Sequence, residues 1–280
     1  MEKSAAELFG DGLEAYEMLD FAKALELWNP LATHGNAQAQ YKLGIMYDFE
    51  EGVERDYTTA AHWYQLSADQ GNVHAQTFLA RLYANGYGVP QDFNEAVKWY
   101  SLAAKQGNRA ALMHLGKLYA QDGPHMDLQQ SMDCYLKAAE ENYPPAQYSV
   151  GEIYQRQGFN KQALKWYFLS AENGYASAQF SLGEIYTHGI SIEKNPEAAL
   201  KWYLLAAAQG DSFALVSLGW MYEEGKCVPQ DFALSHMWFN LACAKGVKVA
   251  EIERDRMVAK MPPTQVAEAQ QMAREYTKKY

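Results

Sequence analysis

Histidine, cysteine, serine and carboxylate side chains could give this chain a chemistry, and their spacing decides which. The seven histidines (His34, His62, His74, His114, His125, His188, His236) are scattered, and no His-Glu-x-x-His pair shares a helix face. Cys134, Cys227 and Cys243 form no Cys-x-x-Cys pair. Ser191-Ile192-Glu193-Lys194 has the Ser-x-x-Lys spacing of penicillin-recognising serine enzymes. Those enzymes carry it at a helix start, whereas here it falls in a predicted loop. Gly86-Tyr87-Gly88 lacks the Lys-Ser/Thr that completes a phosphate cradle, and Glu50, Glu51, Glu54 and Asp56 lack calcium-ligand spacing. The expectation is no catalytic residue, no metal and no cofactor.

Composition narrows the partners. With 24 Lys+Arg against 34 Asp+Glu, the net charge of −10 argues against nucleic acid, whose binders carry a basic face. Apolar residues make up 49% and aromatics 14%, too many for a disordered chain. No apolar run approaches the roughly 20 residues of a membrane span, and the first residues lack an apolar signal core. Three scattered cysteines suit a reducing compartment, so a cytoplasmic location is expected.

The elements that must position any site follow from a repeat. Tyr47, Tyr83, Tyr119, Tyr154, Tyr186 and Tyr222 recur every 32 to 36 residues, each preceded at three residues by a small one: Gly44, Ala80, Gly116, Gly151, Gly183 and Gly219. Five residues earlier stand Ala39, Ala75, Ala111, Ala146, Ala178 and Ala214. A second register reads Trp63-Tyr64, Trp99-Tyr100, Cys134-Tyr135, Trp166-Tyr167, Trp202-Tyr203 and Trp238-Phe239. Glycines at 71, 107, 174, 210 and 246 close that second segment. Apolar spacings of three and four make each unit two helices. A glycine inside the first helix costs about 1 kcal/mol against alanine. The row therefore marks a crossing with no room for a side chain. Alanines of the second helix are expected to meet it, with Tyr and Trp filling the gaps.

One such pair cannot bury its apolar face alone, so neighbours must stack. Seven units are read at 3–36, 37–72, 73–108, 109–143, 144–175, 176–211 and 212–247. The first has a weakly patterned first helix. A half repeat and a C-terminal capping helix follow over 248–280, with Thr264 as helix cap. The expected fold is all-α, a right-handed α–α superhelix.

These residues resemble the Sel-one-like repeat (SLR) family, relatives of tetratricopeptide (TPR) repeats. Residues 73–108 carry the pattern most fully: Ala75, Tyr83, Gly86, Gly88, Val89, Asp92, Ala96, Trp99-Tyr100, Ala103-Ala104 and Gly107. Segment 109–143 departs most, with Cys134 for Trp and Asn142-Tyr143 in place of the closing glycine. The tail from Met237 to Gln270 looks like that of bacterial members. The resemblance implies a non-catalytic scaffold or adaptor holding a protein or peptide. It also leaves two alternatives: an immunity protein neutralising a secreted bacterial toxin, and a penicillin-recognising hydrolase.

In TPR-like stacks the first helix of each pair lines the concave face, which selects the outward positions around the small residue. Three before it are Tyr41, Thr77, Met113, Tyr148, Phe180 and Val216; one after it, Ile45, Arg81, Lys117, Glu152, Glu184 and Trp220; four after it, Asp48, Ala84, Ala120, Gln155, Thr187 and Glu223. Unlike the lattice positions, these rows vary freely. Partner contacts are expected from Tyr41, Ile45, Arg81, Met113, Lys117, Tyr148, Glu152, Phe180, Glu184, Phe213, Trp220 and Glu223. Phe213 and Trp220 read equally as binding anchors or as residues under the C-terminal cap. The change from Arg81 and Lys117 to Glu152, Glu184, Glu223 and Glu224 suggests a basic partner.

Overall fold

The computed structural model describes residues 3–226 and 228–279, so Cys227 lies outside it. The described residues form sixteen helices and no strand, an α-solenoid of stacked helix pairs. They divide into two compact units, with the boundary inside α8 at Ala138 and Ala139.

The first unit holds α1 (Ala5–Glu17), α2 (Phe21–Thr33), α3 (Ala37–Phe49), α4 (Tyr57–Asp69), α5 (Val73–Asn85), α6 (Phe93–Lys105), α7 (Arg109–Tyr119) and most of α8 (Leu128–Glu140). Helices start where a short polar side chain can serve an unpaired backbone N–H. Asn36, Asn72 and Asn108 accept from the amides of Ala39, Ala75 and Ala111, opening α3, α5 and α7. Asp56 and Asp92 open α4 and α6 in the same way. α1 is better specified than its sequence suggests, because Ser4 and Glu7 form a reciprocal capping box.

The second unit holds α9 (Pro144–Arg156), α10 (Asn160–Glu172), α11 (Ala176–His188), α12 (Pro196–Ala208), α13 (Ser212–Glu224), α14 (Phe232–Ala244), α15 (Lys248–Val258) and α16 (Pro263–Lys279). Its first two helix pairs rely less on caps: Tyr143 and Tyr175 precede α9 and α11 without a capping hydrogen bond. Asn142, standing where other units have glycine, adopts the same left-handed backbone, with φ of 57°. α16 begins at Pro263, which places Thr264 within its first turn instead of at the cap. α15 and α16 both pack on α14, burying Met257, Met261 and Ala273 with Trp238 and Phe239.

One correction concerns the glycine row. A second-helix aromatic ring, a tyrosine at Gly44, Gly116, Gly151 and Gly183, and not an alanine lies on each glycine of the row. A Cβ on Gly44 would sit 2.5 Å from the Tyr64 ring, and one on Gly183 would sit 2.3 Å from Tyr203. Phe239 meets Gly219 likewise, and Trp28 meets Gly12 in the first pair. A flat ring on bare backbone buries more apolar area than a methyl could, roughly 2 kcal/mol for each ring.

A second device went unread in the sequence. Gln40 donates to the Ala32 carbonyl at 3.0 Å and accepts from Gln70 at 2.7 Å, and Gln76 repeats this with Ala68 and Gln106. In the second unit Gln179 bonds Ala171 and Gln209 in the same way. These buried amides satisfy the open carbonyls of the preceding helix end.

Candidate partner-binding surface

The outward rows of the first helices acquire their shape from one further contact. Where the ring that covers the glycine is Tyr64, Tyr167 or Tyr203, its hydroxyl points toward the residue one or four after that glycine. In the first unit Tyr64 donates to Asp48 at 3.0 Å. Asp48 is only 3% exposed and also pairs with Arg81 from the next first helix. The Arg81 guanidinium lies 5.6 Å from the Phe49 ring and 5.5 Å from Phe78, so its charge is spent within the unit. Tyr41 stacks among Tyr64, His74 and Phe78, and Ile45 is half-buried beside the same core. Burial and the Asp48 carboxylate both push the Tyr64 hydroxyl up, while burial alone raises Tyr41.

Further along the first unit the surface opens. Ala84 takes the position Asp48 holds, and Tyr100 takes that of Tyr64. A cavity of about 200 Å³ lies there, lined by Arg81, Tyr100, His114 and Lys117. Burial pushes the Tyr100 hydroxyl up to about 12. His114 stacks on Tyr100 with ring centroids 5.6 Å apart. Burial, then Lys117 and Arg81, hold its imidazole below the ordinary value. Met113 is half-buried and Lys117 exposed.

In the second unit Tyr148 lies 5.5 Å from Tyr167 and 5.4 Å from Tyr175, with Glu152 half-exposed one turn on. Tyr203 donates to Glu184 at 2.5 Å and shares a 3.1 Å hydrogen bond with Thr187. Phe180 stacks between Tyr203 and Phe213. Phe213 is 67% exposed and Trp220 39%, so α15 and α16 cover neither fully.

A cavity of about 520 Å³ lies on this unit between α11, α13 and α15. Its wall brings together Glu184, Tyr203, Trp220 and Glu223 with Glu253 and Arg256. Glu223 is only 8% exposed, because Arg256 and Lys260 bond its two carboxylate oxygens at 2.5 and 2.8 Å. The acidic row is therefore neutralised at that end. Among the described residues the ion-pair partner of Glu184 is His188, at 3.4 Å. α15 carries no clear repeat motif, and Arg256 was not among the residues the sequence singled out.

Other groups stand apart from these cavities. Ser191 and Lys194 are exposed in the loop between α11 and α12. Cys134 and Cys243 are half-buried, and burial raises both thiols. Among the described residues no cluster of three or more His, Cys, Asp or Glu suits a metal, and no helix is long and apolar enough to cross a membrane.

Comparison with known proteins decides the family. The Sel1 repeat model matches residues 37–72, 73–108, 109–143, 144–175, 176–211 and 212–247. The chain belongs to the Sel1 repeat family. Among solved structures it is similar to a Sel1 repeat protein from Oxalobacter formigenes, with 31% identity, a TM-score of 0.75, and coverage of 85% of this chain and 99% of the other. It is also similar to a protective antigen of uropathogenic Escherichia coli strains that displays an SLR fold. That match has 28% identity, a TM-score of 0.62, and coverage of 99% and 69%. An immunity protein from Pseudomonas aeruginosa shares the fold at 23% identity, with a TM-score of 0.50 over 80% and 82% of the chains. No curated protein matches this chain in sequence. Sel1 repeat proteins are in general protein-interaction scaffolds.

Proposed function

We propose that this Sel1 repeat protein is a non-catalytic scaffold that holds a protein or peptide against the outward face of its first helices. The observation that carries this reading is the second-unit cavity. There a lattice that fixes Gly183, Tyr203 and Gly219 leaves Trp220 exposed beside Glu184, with Phe213 exposed further along the same helix, and among the described residues no Lys or Arg pairs with that carboxylate. Large aromatics at the rim of a cavity are typical anchors of an interface. A basic side chain of the partner would meet Glu184 and lie on the Trp220 ring. Tyr148, Glu152 and Phe180 supply further outward surface on the second unit, and Tyr41, Ile45 and Met113 do so on the first.

The toxin-immunity reading draws on a likeness of fold alone and singles out no residue of this chain. The penicillin reading has only the exposed Ser191–Lys194 loop, which lacks the helix start that activates such a serine.

The test is affinity capture from the source cells with wild type, Trp220→Ala and, as a control on a second helix, Leu204→Ala. Trp220→Ala should reduce recovery of the specific partner at least tenfold, with a melting temperature within a few degrees of wild type. Leu204→Ala should leave recovery unchanged. Equal recovery with Trp220→Ala, or loss only with Leu204→Ala, contradicts the reading.

A further inference from the structure

Two ion pairs in this protein follow one rule. Arg81 on α5 and Arg256 on α15 occupy corresponding positions, and each pairs with an acid 33 residues earlier on the preceding first helix, Asp48 on α3 and Glu223 on α13. Lys117 follows Arg81 in this row, and 33 residues before it stands Ala84. The carboxylate that the pattern calls for is missing. Where Asp48 fills the space over Tyr64, the Ala84 methyl leaves the 200 Å³ cavity over Tyr100, and among the described residues no ion pair holds Lys117.

We infer that this cavity is a carboxylate-binding site, in which an external carboxylate takes the place that Asp48 and Glu223 fill elsewhere. Lys117 supplies the charge and the Tyr100 hydroxyl a donor, as Arg81 and Tyr64 do for Asp48. The charge balance selects the ligand. Asp48 already offsets Arg81, so Lys117 contributes about one positive charge, matched by a carboxylate and exceeded by a phosphate. His114 forms part of the wall, and its proton affinity is held down partly by Lys117 and Arg81. An anion bound between them reverses that effect, so binding and His114 protonation favour each other.

The carboxylate could be an acidic side chain or a chain terminus, and two probes separate these. N-acetyl-aspartate N-methylamide offers the first, N-acetyl-alanine the second, and N-acetyl-asparagine N-methylamide is the neutral control. His114 ring resonances are followed by NMR in the full chain during titration with each. At least one carboxylate should shift His114 saturably, with dissociation constants on the order of 10 mM, as suits one exposed contact. It should also raise the His114 titration midpoint, and the neutral amide should do neither. Lys117→Gln should abolish the response. Ala84→Asp should abolish it too, because its own carboxylate fills the site and pairs with Lys117. Should Ala84→Asp lower the melting temperature sharply, Lys117→Gln alone decides. An equal response to the neutral amide, no saturable response to either carboxylate, a response surviving Lys117→Gln, or tighter binding of inorganic phosphate overturns the assignment.

Discussion

Asp48 in the first unit and Glu223 in the second occupy the same position, four residues after the small residue of their helices, yet the two units use them differently. Asp48 sits under a tyrosine and accepts its hydroxyl as well as Arg81. Glu223 sits over Phe239, which has no hydroxyl, and takes two cations, Arg256 and Lys260. The lattice of glycine and ring is the same in both. One side chain then decides whether the surface above the ring is closed by an internal ion pair or left open. Asp48 and Glu223 close it, Ala84 opens it, and in the second unit the opening lies beside Glu184 and Trp220.

The largest effect should come from breaking what the units share. Gly183→Leu would drive a Cβ to within 2.3 Å of Tyr203 and force two helices apart. Denaturant unfolding should show a loss of about 3 kcal/mol. The two acids should then separate the units. Asp48→Ala leaves a buried hydroxyl and a guanidinium without their acceptor, and should cost about 3 kcal/mol. Glu223→Gln should cost only about 1 kcal/mol, since Arg256 and Lys260 are half-exposed and reach water. Equal losses would mean that position alone, not the ring beneath, sets the value of the pair.

A smaller effect is a pH dependence in the second unit. His236 is buried on α14, and no partner of its Nδ1 is found among the described residues. Burial and the Arg254 charge hold its value below the ordinary 6.5, against the attraction of Asp255. The unfolded chain therefore takes up a proton near pH 6.5 that the folded chain refuses, and stability falls as the pH drops below 6.5. The loss levels off below the folded-state value. Thermal melts from pH 7.5 to 5 should show this fall, and His236→Gln should flatten its contribution.

Much of the scaffold was legible because it is written in residue size. Gly44, Gly116 and Gly183, with Ala80 in one copy, recur since only a small residue fits under a ring, and the terminal glycines recur since the backbone there turns left-handed. Which group covered the glycines was not legible. Both alanine and tyrosine recur on the second helix at spacings that suit a crossing, and only packing distinguishes them. The hydroxyl partners were not legible because Asp48, Gln155 and Thr187 share hydrogen-bonding capacity rather than type. Glu223 read as a surface acid because its cations come from α15, where Asp255 stands at the small-residue position and hides the repeat. The exposure of Phe213 and Trp220 likewise depended on where α15 and α16 pack, which no local pattern states.

The central claim is that the lattice builds and the outward rows bind. Site-specific photo-crosslinking in the source cells tests it most directly, with a benzophenone amino acid placed at Phe213, at Trp220 or, on the opposite helices, at Leu204. Positions 213 and 220 should capture the same discrete crosslinked partner, and position 204 none. A partner captured through 204 while 213 and 220 stay silent would contradict it.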